Sequence, residues 1–286
     1  MDIEPYGQIM QEYRDCKSPE DSTEFPTSLA SPIILVSKGG GGSRLLSVLA
    51  GDFGVFLGNE INTSGDCLDM VEAVYKGVME KYGNPAGYQS GWVISRLRRA
   101  AADMLARADG NKTKLWGFKL PETLFLLPEI QAAFPEARYV QMFRNPIDIC
   151  LRRTHLTARM DTKIGGITLP LAYRSLNRPV EMIDRDSPAI HMAYTTLHQL
   201  RLILDFFGGS FGGDKSLELY FEDLIRDPKT AVGKFGIWLS CPPVSTRIIE
   251  AIDINRALNP TVNYPAEVVD EVVSLLAPLN KEIGYV

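Results

Sequence analysis

Four consecutive glycines, Gly39, Gly40, Gly41 and Gly42, separate an apolar run at residues 33–36 from Ser43, Arg44 and the apolar stretch beyond, and Lys38 and Arg44 bracket the loop. Lacking Cβ atoms, such a loop can turn several N–H groups inward, and a helix opening directly after it adds the positive end of its dipole. An anion is the natural occupant, with Lys38 and Arg44 as charge-assisted donors. A second cluster lies at residues 139–153, YVQMFRNPIDICLRR, where an apolar run ends in Arg144 and Pro146 suits the first turn of a helix. Each of the two strand ends can hold one phosphate of a nucleotide.

The loop departs from the common nucleotide signatures. The standard ATP loop ends in Gly-Lys-Ser/Thr, whose lysine meets the terminal phosphates and whose hydroxyl binds Mg²⁺. Here the letters are Gly42, Ser43 and Arg44, and the dinucleotide spacing GxGxxG fails because Arg44 stands three places after Gly41. A flexible turn between strand and helix is the alternative to an anion site.

Composition narrows the classes. The chain has 286 residues, of which 45% are hydrophobic and 23% charged, and it carries a net charge of −5, so a nucleic-acid binder relying on an overall positive field is not expected. Five arginines (Arg138, Arg144, Arg152, Arg153, Arg159) against one acid, Asp148, suit a small polyanion, or else form a solvated helix face. Cys16, Cys67, Cys150 and Cys241 show no metal-ligand spacing, and no signal peptide precedes them, which makes a reducing cytoplasm the expected setting. The three histidines, His155, His191 and His198, form no metal motif, and no apolar run is long enough to span a membrane.

The elements that must position these residues alternate between strand and helix. Strands are expected at 33–36, 55–57, 115–119, 139–143 and 217–221, and Ser43 is the expected N-cap of the helix after the glycines. Helices are expected from Asp66 to Gly83, at 92–107, in segments over 123–134, from Pro146, from Ser187-Pro188 to Phe207, from Asp227-Pro228 to Leu239, and at 265–283. This alternation predicts an α/β fold, a three-layer sandwich with a central parallel sheet flanked by helices and ligands at the carboxyl ends of its strands. Residues 1–29 read as an N-terminal arm, residues 30–286 as a single α/β domain, and the aperiodic stretch 161–186 as a loop or acceptor lid.

The order of motifs resembles the sulfotransferase family, in its bacterial type, whose sheet is similar to that of nucleotide kinases. VSKGGGGSRLL at 36–46 is similar to the family's strand-loop-helix for the 5′-phosphosulfate, and FRNPID at 143–148 to its 3′-phosphate motif. WGFKLPETLFLLPEIQAAFPEARY at 116–139 resembles the family's lysine-containing strand and following helix, and LYFEDLIRDP at 219–228 its (R/Y)-(Y/F)-E-D-L-x-x-D-P element. Two departures stand out: Gly40 occupies a position where many members carry a cation, and Arg152 one where many carry a serine.

The resemblance implies transfer of a sulfuryl group from 3′-phosphoadenosine 5′-phosphosulfate (PAPS) to a hydroxyl or amine of a small-molecule or carbohydrate acceptor, leaving 3′-phosphoadenosine 5′-phosphate (PAP), without a required metal. It places Lys38, Gly39, Gly40, Gly41, Gly42, Ser43, Arg44, Arg144, Arg152, Tyr220 and Arg256 around the nucleotide. Lys38 or Arg44 would steady the leaving oxygen, and Glu60 would be the general base, with Glu122 beside Lys119 as the second choice. Glu222 and Asp223 read equally well as strand anchors, Lys119 as the partner of an acid, Trp116 as core, Arg96, Arg98 and Arg99 as a solvated face, and His155 as a surface or core histidine. A divergent nucleotide kinase and an inactive scaffold of the same fold are the alternatives.

Overall fold

The computed structural model describes residues 31–108, 115–208, 214–241, 248 and 262–285; the expected N-terminal arm and Arg256 lie outside them. Strand β1 (Ile33–Val36) is buried along its whole length, as strands of parallel sheets covered on both faces are. It leads to helices α1 (Ser43–Asp52), α2 (Leu68–Val78, prolonged by a π turn at Met79–Gly83) and α3 (Ser90–Ala106). Strand β2 (Gly117–Lys119), a 3-10 turn (Pro121–Leu126) and α4 (Leu127–Ala133) precede strand β3 (Arg138–Phe143). Helices α5 (Pro146–Cys150), α6 (Gly165–Ser175) and α7 (Pro188–Phe207) follow. Strand β4 (Ser216–Tyr220) runs directly into α8 (Phe221–Arg226), then α9 (Pro228–Leu239) and α10 (Ala266–Glu282).

The four strands are parallel in the order β2-β1-β3-β4, with Ile34 opposite both Phe118 and Tyr139, and Val140 opposite Leu217. The chain therefore leaves β1 toward one edge of the sheet and leaves β3 toward the other. In an open parallel sheet this reversal opens a crevice beyond the carboxyl ends of the two central strands. The glycine loop and Arg144 follow those two ends.

Alternation along the strands builds two cores. Ile34, Val36, Tyr139 and Phe143 share one with Val74 of α2, Leu97 of α3, Leu200 of α7 and Leu276 of α10. Ile33, Leu35, Val140 and Met142 share the other with Leu49 of α1, Leu224 of α8 and Phe235 of α9. Leu49 and Phe235 are fully buried, a burial worth roughly 1.5–3 kcal/mol per side chain. The expected three-layer α/β architecture is thus the one observed.

Three local expectations are corrected. The N-cap of α1 is Gly42, at φ 94°, not Ser43, which is the first helical residue; the chain enters the helix through a left-handed conformation that favours glycine. Residues 55–57 form only a bridge, Phe56 to Trp116, extending the β2 edge by one pairing. Part of the segment expected as a loop is α6, whose Leu169, Ala172 and Tyr173 are buried, so packing overrides its glycines and Pro170.

Candidate functional site

The glycine loop is closed on itself and walled by aromatic rings. Gly41 N–H donates to the Lys38 carbonyl at 2.8 Å. A Cβ on Gly42 would lie 2.3 Å from Cδ2 of Phe221, and one on Gly39 would lie 2.3 Å from Nε2 of His155. The lining of the loop is therefore main chain, and the amides of Ser43 and Arg44 precede the first bonds of α1, which run from Leu45 and Leu46 N–H to the Gly42 carbonyl. Such a cradle fits a phosphate or sulfate oxygen cluster.

Its two flanking cations behave differently. Arg44 is exposed, whereas Lys38 is buried and turned inward, its Nζ donating to the Gly39 carbonyl at 3.3 Å. Burial lowers the Lys38 ammonium to about 8, against the opposing pull of Cys150 and Glu122. Lys119, at the end of β2, is buried as well and donates to the Ser64 carbonyl at 2.8 Å and to Asp66. Lys119 is thus the partner of an acid, one of the two roles its sequence context suggests.

Glu122 lies near enough to both lysines to feel the charge of each. It is 1% exposed, and its Oε1 has no hydrogen-bond partner among the described residues. Burial and then Asp66 raise its carboxyl to about 7, while its own amide, Lys119 and Lys38 act in the opposite sense. Glu60 is arranged in the opposite way. Its main chain is pinned, N–H to Asp69 at 3.2 Å and carbonyl from Leu68 N–H at 2.9 Å, but its exposed carboxylate has no partner among the described residues. Asp69 organises this turn, also accepting Asn59 N–H at 2.7 Å and pairing with Arg107 at 2.5 Å.

At the end of β3, Arg144 is 5% exposed, with its guanidinium 4.1 Å from the centroid of the Phe221 ring. Burial and then Arg152 lower its pKa to about 10, against the pull of Asp148, Glu222 and Tyr285. A guanidinium in such surroundings gains from an added anion. Asn145 caps α5, its side chain accepting Ile147 N–H at 3.0 Å. Glu222 accepts Asn145 N–H at 3.0 Å on one oxygen and the Tyr285 hydroxyl on the other, so both oxygens anchor neighbouring elements. Asp223 pairs with Arg226 at 3.7 Å.

Tyr220 stacks near Phe143 and Tyr285, and its hydroxyl donates to Glu218 of its own strand at 2.5 Å. Trp116 is core, 5.8 Å from Phe134 between centroids. Arg98 donates to the Ala133 carbonyl at 3.0 Å, and Arg96 lies 4.3 Å over Trp92. His155 is the residue whose position the sequence did not disclose: it lies on the glycine loop at Gly39. Glycine carries no side chain with which to signal such a contact. Among the described residues, no group of three His, Cys, Asp or Glu side chains is placed to hold a metal ion, and no helix is long and apolar enough to cross a membrane.

The fold sets the glycine loop and the buried Arg144 side by side, after the carboxyl ends of the adjacent parallel strands β1 and β3. The model of the sulfotransferase family matches residues 75–242, more than half of the chain, and the chain belongs to that family. The crystal structure of a sulfotransferase from Alicyclobacillus acidocaldarius is similar in fold, with a TM-score of 0.51 at 15% identity over 89% of this chain and 96% of that one. The sulfotransferase domain of the Synechococcus PCC 7002 olefin synthase aligns at a TM-score of 0.48 and 18% identity over 93% of this chain and 98% of that one. No curated protein sequence matches the chain.

Proposed function

We propose that this protein is a PAPS-dependent sulfotransferase acting on a hydroxyl or amine of a small-molecule or carbohydrate acceptor. The observation that carries the reading is the placement of the glycine cradle and Arg144 at the ends of adjacent strands β1 and β3, on a chain of the sulfotransferase family. In this reading the loop from Gly39 to Ser43 and Arg44 hold the 5′-phosphosulfate, and Arg144 and Arg152 hold the 3′-phosphate. Tyr220 stands behind the arginine end through Phe143 and Tyr285. PAPS supplies an activated sulfuryl group.

The protein's own part is positioning and charge control. As the acceptor oxygen or nitrogen forms its bond to sulfur, the bond from sulfur to the 5′-phosphate oxygen breaks and its electron pair stays with PAP. Charge gathers on that oxygen, where the loop N–H groups and Arg44 stabilise it. Glu60 takes the acceptor's proton; its unpartnered, exposed carboxylate supports this role. Glu122, buried near Lys38 and Lys119, is the second choice as base. Residues 161–186, with α6 at their centre, are the proposed wall of the acceptor site within a single domain spanning 30–286. A cytoplasmic setting is part of the same proposal.

Calorimetry of PAP, ADP and Mg²⁺-ATP against wild type and Arg144→Ala tests the donor site. Metal-independent PAP binding that requires the 3′-phosphate and weakens in the variant is expected. Preference for Mg²⁺-ATP would replace the reading by a kinase, and PAP binding without transfer to any acceptor would leave a nucleotide-binding scaffold.

A further inference from the structure

His155 sits between the helical layer and the glycine loop, and its two ring nitrogens have different surroundings. Nδ1 accepts the Thr157 N–H at 3.3 Å and lies 3.0 Å from the Thr157 hydroxyl, which in turn accepts from Gln199 at 3.1 Å. Thr157 and Gln199 are each 1% exposed, so this chain of contacts is enclosed. Nε2, on the opposite edge of the ring, has no hydrogen-bond partner among the described residues and would be 2.3 Å from a Cβ on Gly39.

The tautomer follows from this arrangement. Burial, then the positive charges of Lys38, Arg153 and Lys119, hold the imidazole neutral. A neutral ring carries one proton, and because Nδ1 accepts a main-chain N–H, that proton is on Nε2. Near-equal distances from a Gly39 Cβ to Nε2, Cδ2 and Cε1 (2.3, 2.4 and 2.6 Å) put the face of the ring on Gly39, so the Nε2–H, lying in the ring plane, runs alongside a loop whose glycines contribute no side chain. Lys38, the preceding cation, points inward to the Gly39 carbonyl, so it does not occupy this position.

We propose that His155 is a contact residue for the anion in the glycine loop, its Nε2–H donating to a 5′-phosphate oxygen while Thr157 and Gln199 fix the ring. This rests on the nucleotide reading above. The neutral ring makes it a donor that reinforces the main-chain amides without adding a full charge. The same contact explains why residue 39 must be glycine: a methyl group there would push the imidazole off the loop.

The test is calorimetry of PAP with wild type, Arg144→Ala, His155→Ala, His155→Gln, Gly39→Ala and the Gly39→Ala/His155→Ala double variant, joined to ¹⁵N-histidine NMR of the wild type. His155→Ala should lower PAP affinity by roughly tenfold to a hundredfold, the scale of a hydrogen bond to a charged group. His155→Gln, which keeps an N–H at similar reach, should recover most of the loss. Gly39→Ala should resemble His155→Ala, and the double variant should be no worse than His155→Ala alone. With only three histidines in the chain, the Nε2 signal of His155 can be assigned, and it should move on adding PAP.

Undiminished affinity in His155→Ala, or an Nε2 signal that PAP leaves in place, overturns the proposal; the NMR result decides alone should the variants fail to fold. PAP binding that depends on Arg144 but not on His155 removes this inference and keeps the nucleotide site. Failure of the wild type to bind PAP removes both.

Discussion

Glu222 joins three parts of the chain that are distant in sequence: one carboxylate oxygen accepts Asn145 N–H at 3.0 Å, and the other accepts the Tyr285 hydroxyl. The end of β3, the start of α8 and the C-terminal segment are therefore locked around Arg144. Glu222→Ala leaves two donors without their acceptor and should destabilise the protein by about 1–3 kcal/mol. Tyr285→Phe, which removes only one of the bonds, should cost about 1 kcal/mol. Urea unfolding of both variants measures the difference, and equal midpoints for Glu222→Ala and wild type would contradict the anchoring role.

Gly42 is constrained twice, by φ 94° and by Phe221 at 2.3 Å from any added Cβ. Gly42→Ala combines backbone strain on the order of 1–3 kcal/mol with a steric clash. The variant should unfold at lower urea and bind PAP weakly. Gly51, where an added Cβ meets nothing within 4 Å, provides the control: Gly51→Ala lies within α1 and should hold or raise stability, by about 0.5–1 kcal/mol.

For Glu60 the expectation is kinetic. Glu60→Gln should reduce turnover by roughly 10²- to 10⁴-fold, the usual worth of a general base. PAP affinity and unfolding midpoint should stay close to wild type, because the contacts that hold this turn are made by main chain and Asp69. Unchanged turnover in Glu60→Gln with a large loss in Glu122→Gln would transfer the base to Glu122.

Glu122 also predicts a pH dependence of stability. Its carboxyl retains its proton in the folded state to about pH 7, whereas its ordinary value is 4.5. Between these limits the folded state binds more protons than the unfolded one, so the contribution is full below 4.5 and lost as the pH rises through 7. The decline should be on the order of 1–3 kcal/mol and absent from Glu122→Gln. A pH series of unfolding midpoints is the check. Lys38, lowered to about 8 from 10.5, acts in a separate window: the unfolded chain binds more protons between those values, so stability should rise with pH there.

The sequence disclosed most where the signal is local. Ser187-Pro188 and Asp227-Pro228 mark the starts of α7 and α9 because a cap side chain and a proline act within a single turn, and both side chains make the cap bond. The parallel sheet followed from the alternation of strands and helices and the family from motif order along the chain, whereas the order of the strands in the sheet came only from the structure. Helix α6 was hidden because Gly165, Gly166 and Pro170 argue against a helix that its packing, on α7 and on the turns at Leu156–Ala158 and Met79–Gly83, sustains. The inward turn of Lys38 and the seat of His155 were hidden for another reason. Both depend on contacts between segments far apart in sequence, and burial of a lysine or a histidine leaves no periodic trace.

The Phe221 ring touches both halves of the candidate site, closing on the Cα of Gly42 and lying 4.1 Å beneath the Arg144 guanidinium. It separates the glycine loop from Arg144, the two anion positions proposed above. A ligand whose charged ends match that spacing gains from both at once, and a shorter or longer one must give up one of them. On the proposed nucleotide reading, Phe221 sets the length of ligand that can reach both ends without offering it a polar atom, and trimming it to leucine should blur discrimination between ligands before it weakens any one of them.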